Sequence, residues 1–348
     1  MKSPAPPTAA LLSAAAQRLR AGQLREADAL LKAVLKQAPR DPDVLTMASS
    51  VARQLGRADD AADLIRRAIK QRPNHAPSYN SLGAALRAKR DLVGARAAFE
   101  RAAALEPDLF DTAYNLGLVL DALGDHTNAV SALKRASALA PQRAEAHEAL
   151  GSVLVQAGDP EAGLDALRKA EQLRPGSPSI AHNLGLAYEA LGDDQRALEA
   201  FIQATQRAPG QAVSWSAVGN VSRRLGAYED AIAAYRRAIE LAPQTLKWHQ
   251  ALHETIWQAG QGVDLSSFPY AIQRLPQDAG LRRGFALHLN KVRSHQEAEE
   301  QARIALALAP ESAESLDVLA QTLVDQKRHE EAVTSFQKAA ALARNDMA

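Results

Sequence analysis

An all-α solenoid built from a repeated two-helix unit is the fold this 348-residue sequence predicts, and three observations predict it. Prolines fall at 39, 73, 107, 141, 175, 209 and 243, each 34 residues after the last; the series continues at Pro276, one residue early, and returns to step at Pro310. Glycines keep the same interval at Gly83, Gly117, Gly151, Gly185 and Gly219, each preceded by Leu or Val. Two small-residue series share it: Ala27, Ala61, Ala95, Ala129, Gly163, Ala197 and Ala231, and Ala68, Ala102, Ala136, Ala170, Ala204 and Ala238. A fixed period of this length means stacked supersecondary units, because one such unit cannot bury its apolar face alone.

Composition agrees. Alanine makes up about a fifth of the chain and aromatics 4%, a mixture that favours helix and fills a core with small side chains and leucine. Cysteine is absent, so disulfides, thiolate zinc sites and cysteine nucleophiles are excluded. Forty-one basic against forty acidic side chains leave a net charge of +1, so no global field draws nucleic acid. No uncharged stretch reaches the roughly 18 residues that a membrane span needs. Lys2 and the apolar residues around Leu11 and Leu12 could be read as a signal peptide. Prolines 4, 6 and 7 precede that run and it also fits a first helix, so a cytoplasmic chain is expected.

Each unit reads as two helices. From Tyr114 to Gly124 apolar residues recur at helical spacing, and Gly124 is placed to close the helix. A second helix is expected from about Thr127 to Leu139, with Ala129, Leu133 and Ala136 on one face. Pro141 stops it, lacking an amide proton and clashing with the preceding turn. The glycines and alanines have a packing reason: helices approach closely only where neither carries bulk at the crossing.

The unit resembles the tetratricopeptide repeat. Its signature is matched at Trp215, Val218-Gly219, Ala231, Tyr235, Ala238 and Pro243, and at Tyr79, Leu82-Gly83, Leu86, Ala95, Phe99, Ala102 and Pro107. Units then start near 8, 42, 76, 110, 144, 178 and 212, a divergent one at 246, and two more at 279 and 313. Residues 1–7 are expected to be a disordered tail and 8–346 the array. The resemblance implies a right-handed superhelical solenoid of about ten helix-turn-helix units, first helices lining a concave groove and second helices outside.

Three units depart from the pattern. The first has Arg18 where a bulky apolar residue is expected, which suits a solubilising end. The eighth carries Gly260, Gly262, Ser266, Ser267 and Pro269 where its second helix should run, with Trp248, Trp257, Phe268 and Tyr270 nearby. It reads as a repacked joint or as a ligand-contacting insert. The last ends near Arg344 with Val333, Phe336 and Leu342 on its second helix, so that end either self-associates or belongs to a longer chain.

No catalytic constellation emerges. The chain has no GxxxxGK, no GxGxxG after a strand and no GxSxG. His249 and His253 lie at i, i+4 beside Glu254, but not in the HExxH order that places a general base on zinc. His295-Gln296-Glu297 and His329-Glu330-Glu331 fall where first helix turns to second, and charged helix starts explain their glutamates. No cofactor and no metal are expected.

If the resemblance extends to geometry, positions 2, 5, 6, 9, 12 and 13 of each first helix face the groove. In the units at 110, 144 and 178 these include Asp111, Tyr114, Asn115, Asp121, Glu145, Glu148, His182, Asn183 and Glu189. From 212 to 291 they include Asn220, Arg223, Arg224, Lys247, Trp257, Arg283, Asn290 and Lys291, with Glu254 the sole acid. The groove is therefore expected to be acidic in the middle and basic toward the C-terminal third, unless these are ordinary solvated faces. The Lys and Asn pattern that clamps chaperone C-termini is missing. The asparagine ladder of O-GlcNAc transferase arms is matched only at Asn115 and Asn183.

The leading expectation is a non-catalytic scaffold or adaptor that holds an extended peptide or protein in the groove. The alternative is the substrate-recognition arm of a bacterial transferase or oxygenase, similar to arrays that precede O-GlcNAc-transferase-like, sulfotransferase or 2-oxoglutarate-iron oxygenase domains. The expected partner is a protein or peptide, without nucleic acid and without membrane insertion.

Overall fold

The computed structural model describes residues 8–259, 267–274 and 276–345. Twenty α-helices and no strand occur among them. The expected tail at 1–7 and Gly260, Gly262 and Ser266 lie outside the described residues. So do the side chains of His253, Trp257, Ser267 and Tyr270.

The chain forms two compact units. The first, Met1–Pro175, holds α1 (Thr8–Arg20), α2 (Leu24–Gln37), α3 (Pro42–Gln54), α4 (Ala58–Gln71), α5 (Ala76–Ala88), α6 (Leu92–Leu105), α7 (Phe110–Ala122), α8 (His126–Leu139), α9 (Ala144–Gln156) and α10 (Pro160–Leu173). The second, Gly176–Ala348, holds α11 (Pro178–Ala190), α12 (Asp194–Arg207), α13 (Ala212–Arg224), α14 (Tyr228–Leu241), α15 (Leu246–Gln258), α16 (Ser267–Arg274), α17 (Ala279–Lys291), α18 (His295–Leu308), α19 (Ala313–Asp325) and α20 (His329–Asn345). Odd and even helices pair as hairpins from α1 with α2 to α13 with α14 and again at α17 with α18 and α19 with α20, whereas α15 packs on α14 and α16 on α17. Each unit is thus an all-α stack of helix-turn-helix repeats.

Local sequence sets the turns. Gly124 adopts φ +78° and donates its N–H to Asp121 O at 2.9 Å, while Asp125 N–H reaches Leu120 O at 2.9 Å. Glycine serves this left-handed closing position at 22, 56, 124, 158, 192 and 226 because it pays no Cβ penalty there. Arg90, Arg293 and Lys327 hold the same place at φ 64°, 62° and 64°. The residue after the turn then caps the second helix: Asp91, Asp125, Asp159 and Asp193 each accept an N–H three residues on.

The glycine series has a steric cause. A Cβ on Gly83 would fall 2.7 Å from the Phe99 ring, one on Gly117 2.5 Å from Leu133, and one on Gly185 2.5 Å from the Phe201 ring. Phe99, Leu133 and Phe201 are fully buried, so the missing methyl is where a large side chain of the paired helix lies. In the repeat at 279 the solution differs, with buried Ala286 and Ala302 at the equivalent places. On α20 the equivalent residue is Phe336, 40% exposed.

The periodic prolines acquire a second role. Their carbonyls accept from the fourth residue of the following helix: Tyr79 Oη to Pro73 O at 3.1 Å, His147 Nε2 to Pro141 O at 3.0 Å, Trp215 Nε1 to Pro209 O at 2.9 Å and His249 Nε2 to Pro243 O at 2.9 Å. Bulk at this position was expected from the repeat signature; what four of the repeats share is a donor that satisfies a carbonyl of the turn between repeats.

The divergent repeat splits its described aromatics between neighbours. Trp248 is buried against Ile232, Tyr235 and Ile239 of α14. Phe268, on the eight-residue α16, packs forward on Leu281 and stacks on Phe285 at 4.9 Å. Both are core residues.

Candidate interaction surface on the first helices

Within the first unit α3, α5, α7 and α9 also touch one another directly, as α13, α15, α17 and α19 do within the second. Of the first-helix residues singled out in the sequence, Asp111, Asn220, Arg224 and Lys247 are exposed, and Tyr114, Asn115, Asp121, Glu145, Glu148, His182, Asn183, Glu189, Arg223 and Arg283 are half-buried. Lys291 is exposed as well; the side chain of Trp257 lies outside the described residues.

The acidic group of the first unit is tied to arginines from the loops between repeats. Arg143 meets Glu145 at 2.6 Å and Asp111 at 3.4 Å, with its guanidinium 3.9 Å from the centre of the Phe110 ring. Phe110 in turn stacks on Tyr114 at 5.6 Å. Arg174 pairs with Glu148, and His126 meets Asp121 at 3.1 Å. Burial pushes the Glu145 carboxyl up, but its backbone hydrogen bond and Arg143 outweigh this and hold it below the usual carboxylate range. Tyr114 is pushed up by burial and by Glu145 and Glu148, so its phenol stays protonated.

The basic group of the second unit is paired in the same way. Arg224 binds Glu189 at 2.7 Å and Asp194 at 2.7 Å, Arg283 reaches Glu314 at 3.4 Å, and Arg223 lies 3.8 Å from Glu254. Asn220 accepts from the Tyr235 hydroxyl at 2.7 Å. His182 Nδ1 sits 3.1 Å from Ser214 Oγ, and burial holds its pKa below the usual histidine value.

First-helix positions 2, 5, 6, 9, 12 and 13 do not include Phe110, the first residue of α7, nor Arg143 and Arg174 in the loops between repeats. The signal for the arginines is a basic residue just before or just after the repeat that carries the first-helix acid. His249 is 1% exposed with Nε2 engaged at Pro243, and His295 faces Asn290 and Asp325. Among the described residues no group of three or more His, Asp or Glu side chains could hold a metal ion. No helix among them is long and apolar enough to cross a membrane.

Stacked hairpins with a polar first-helix face define a helical-repeat protein. The chain belongs to the tetratricopeptide repeat family: models of that repeat match residues 18–86, 114–178, 182–244 and 284–346. No curated protein sequence matches it. Three solved structures show the same fold. A tetratricopeptide repeat protein from Parabacteroides merdae aligns at TM-score 0.56 and 14% identity, over 72% of this chain and 98% of that one. PilF of Pseudomonas aeruginosa aligns at 0.54 and 20%, over 61% and 97%. A chain of the APC/C hetero-tetramer Cut9-Hcn1 aligns at 0.52 and 18%, covering 90% of this chain but 55% of its own length.

Proposed function

We propose that the protein is an interaction scaffold without catalytic chemistry of its own, and that a peptide or protein segment binds along the first-helix faces. The observation that supports this is the division of labour in every full repeat. Second helices and one side of each first helix build the core, leaving a periodic row of half-exposed polar and charged groups. Asp111, Tyr114, Asn115, Asp121, Glu145, Glu148, His182, Asn183, Glu189, Asn220, Arg223, Arg224, Lys247, Trp257, Arg283 and Lys291 are the proposed contacts.

Two matched substitutions test it. Leu186 on first helix α11 is 38% exposed and Val93 on second helix α6 is 71% exposed, so neither change to arginine disturbs the core. A partner captured by the wild-type chain is expected to be lost with Leu186→Arg and kept with Val93→Arg. Equal capture by both variants overturns the first-helix assignment.

A further inference from the structure

The ion pairs change what the first unit can offer a ligand. Four of the five acids on its first-helix face already meet an arginine: Asp43 with Arg72, Asp111 and Glu145 with the single Arg143, and Glu148 with Arg174, while Asp121 lies 3.1 Å from His126. A carboxylate so engaged has little attraction left for a cationic ligand, since a new cation must displace the resident one. The sequence-level count of acids therefore overstates the negative potential.

Two cations on the same face are not engaged. Arg53, near the end of α3, is exposed, and Arg87, near the end of α5, is half-buried; neither enters an ion pair or side-chain hydrogen bond among the described residues. They are 34 residues apart and occupy the same position in successive repeats. Ser50 on α3 and Ser81 and Ala84 on α5 are half-buried and carry short side chains.

We propose that the first-helix face of repeats two and three binds an acidic protein segment, its carboxylates paired with Arg53 and Arg87. Guanidinium groups receive carboxylates through two parallel donors, and the repeat period sets the separation of the two sites. This rests on the scaffold reading and gives its ligand a chemical class.

The test is fluorescence anisotropy of labelled (Glu-Ser-Gly)4 and (Lys-Ser-Gly)4 peptides with the full chain at low salt. The acidic peptide is expected to bind in preference to the basic one. Its affinity should fall about tenfold in Arg53→Ala/Arg87→Ala, the loss of two exposed charge pairs, and recover in part with Arg53→Lys/Arg87→Lys. Arg53 is exposed and Arg87 half-buried, and neither has an ion pair or side-chain hydrogen bond to lose among the described residues, so the variants should melt with the wild type. Preference for the lysine peptide, no binding of either, or equal affinity of wild type and the alanine variant overturns the acidic assignment. The scaffold reading fails separately, by capture that ignores Leu186→Arg.

Discussion

Gly219 lies against the ring of Tyr235, where a Cβ would fall 2.8 Å from two ring carbons, while the hydroxyl at the far end of that ring donates to Asn220 Oδ1 at 2.7 Å. Tyr235 is fully buried, and consecutive residues of α13 fix it at both ends. Gly219→Leu should therefore overpack the crossing and cost about 1–3 kcal/mol. A urea titration followed by circular dichroism reads the change; an unmoved midpoint would refute this contact.

Arg90 and Gly56 close equivalent turns in adjacent repeats with opposite local energetics. Arg90 holds φ 64° with a side chain that disfavours it, and Gly56 holds φ +77° with open space around a hypothetical Cβ. Arg90→Gly should stabilise by about 1 kcal/mol and Gly56→Ala destabilise by about the same, through backbone alone. Thermal melts should shift in opposite directions.

Acid should weaken the fold before its carboxylates titrate. Burial holds His182, His249 and His288 below the ordinary histidine pKa. With the folded value depressed, the unfolded chain binds more protons in that range. The histidine contribution is thus full above about pH 6.5 and is lost as pH falls through the folded values. The urea midpoint should drop between about pH 7 and 5. His249→Gln, which can still donate to Pro243, should show a shallower drop; an equal slope would remove His249 as a contributor.

Glu299 and Glu331 both bind Arg328, but only Glu299 is buried, at 7% exposure, where it also meets Arg303 at 2.6 Å and Gln326 at 2.9 Å. Burial pushes its carboxyl up and these partners bring it below the usual range. Glu299→Ala should lower the melting temperature clearly more than Glu331→Ala, because Glu299 gathers Arg303, Arg328 and Gln326 on one buried carboxylate whereas Glu331 pairs with Arg328 at the surface. Equal effects would mean that Glu299 is only a surface partner.

The fold was legible because its causes repeat. A glycine that must admit Phe99 or Tyr235, and a proline that must end a helix, recur at one interval and are visible without coordinates. The interaction face was only half legible. Helical position says that Glu145 and Glu148 leave the core, but not that Arg143 and Arg174 reach back from the loops to meet them. Arg53 and Arg87 pass unnoticed for the same reason: what distinguishes them is the partner they lack. The joint after α15 is the third case, where Trp248 and Phe268 look like one cluster in sequence and join two different cores.

One set of ion pairs has a meaning for the order of the repeats. Asp28 pairs with Arg57, Arg96 with Asp125 at 3.6 Å, and Glu299 with Arg328 at 2.7 Å. The members of each pair occupy the same two places in adjoining repeats, yet the signs are reversed in the middle pair. Joining the first repeat directly to the fourth would set Asp28 against Asp125, and joining the third to the second would set Arg96 against Arg57. The junctions therefore work as mating connectors of opposite gender. Recombinations of that kind preserve every hairpin and still set like charges face to face, so these junctions favour one neighbour over another among near-identical repeats.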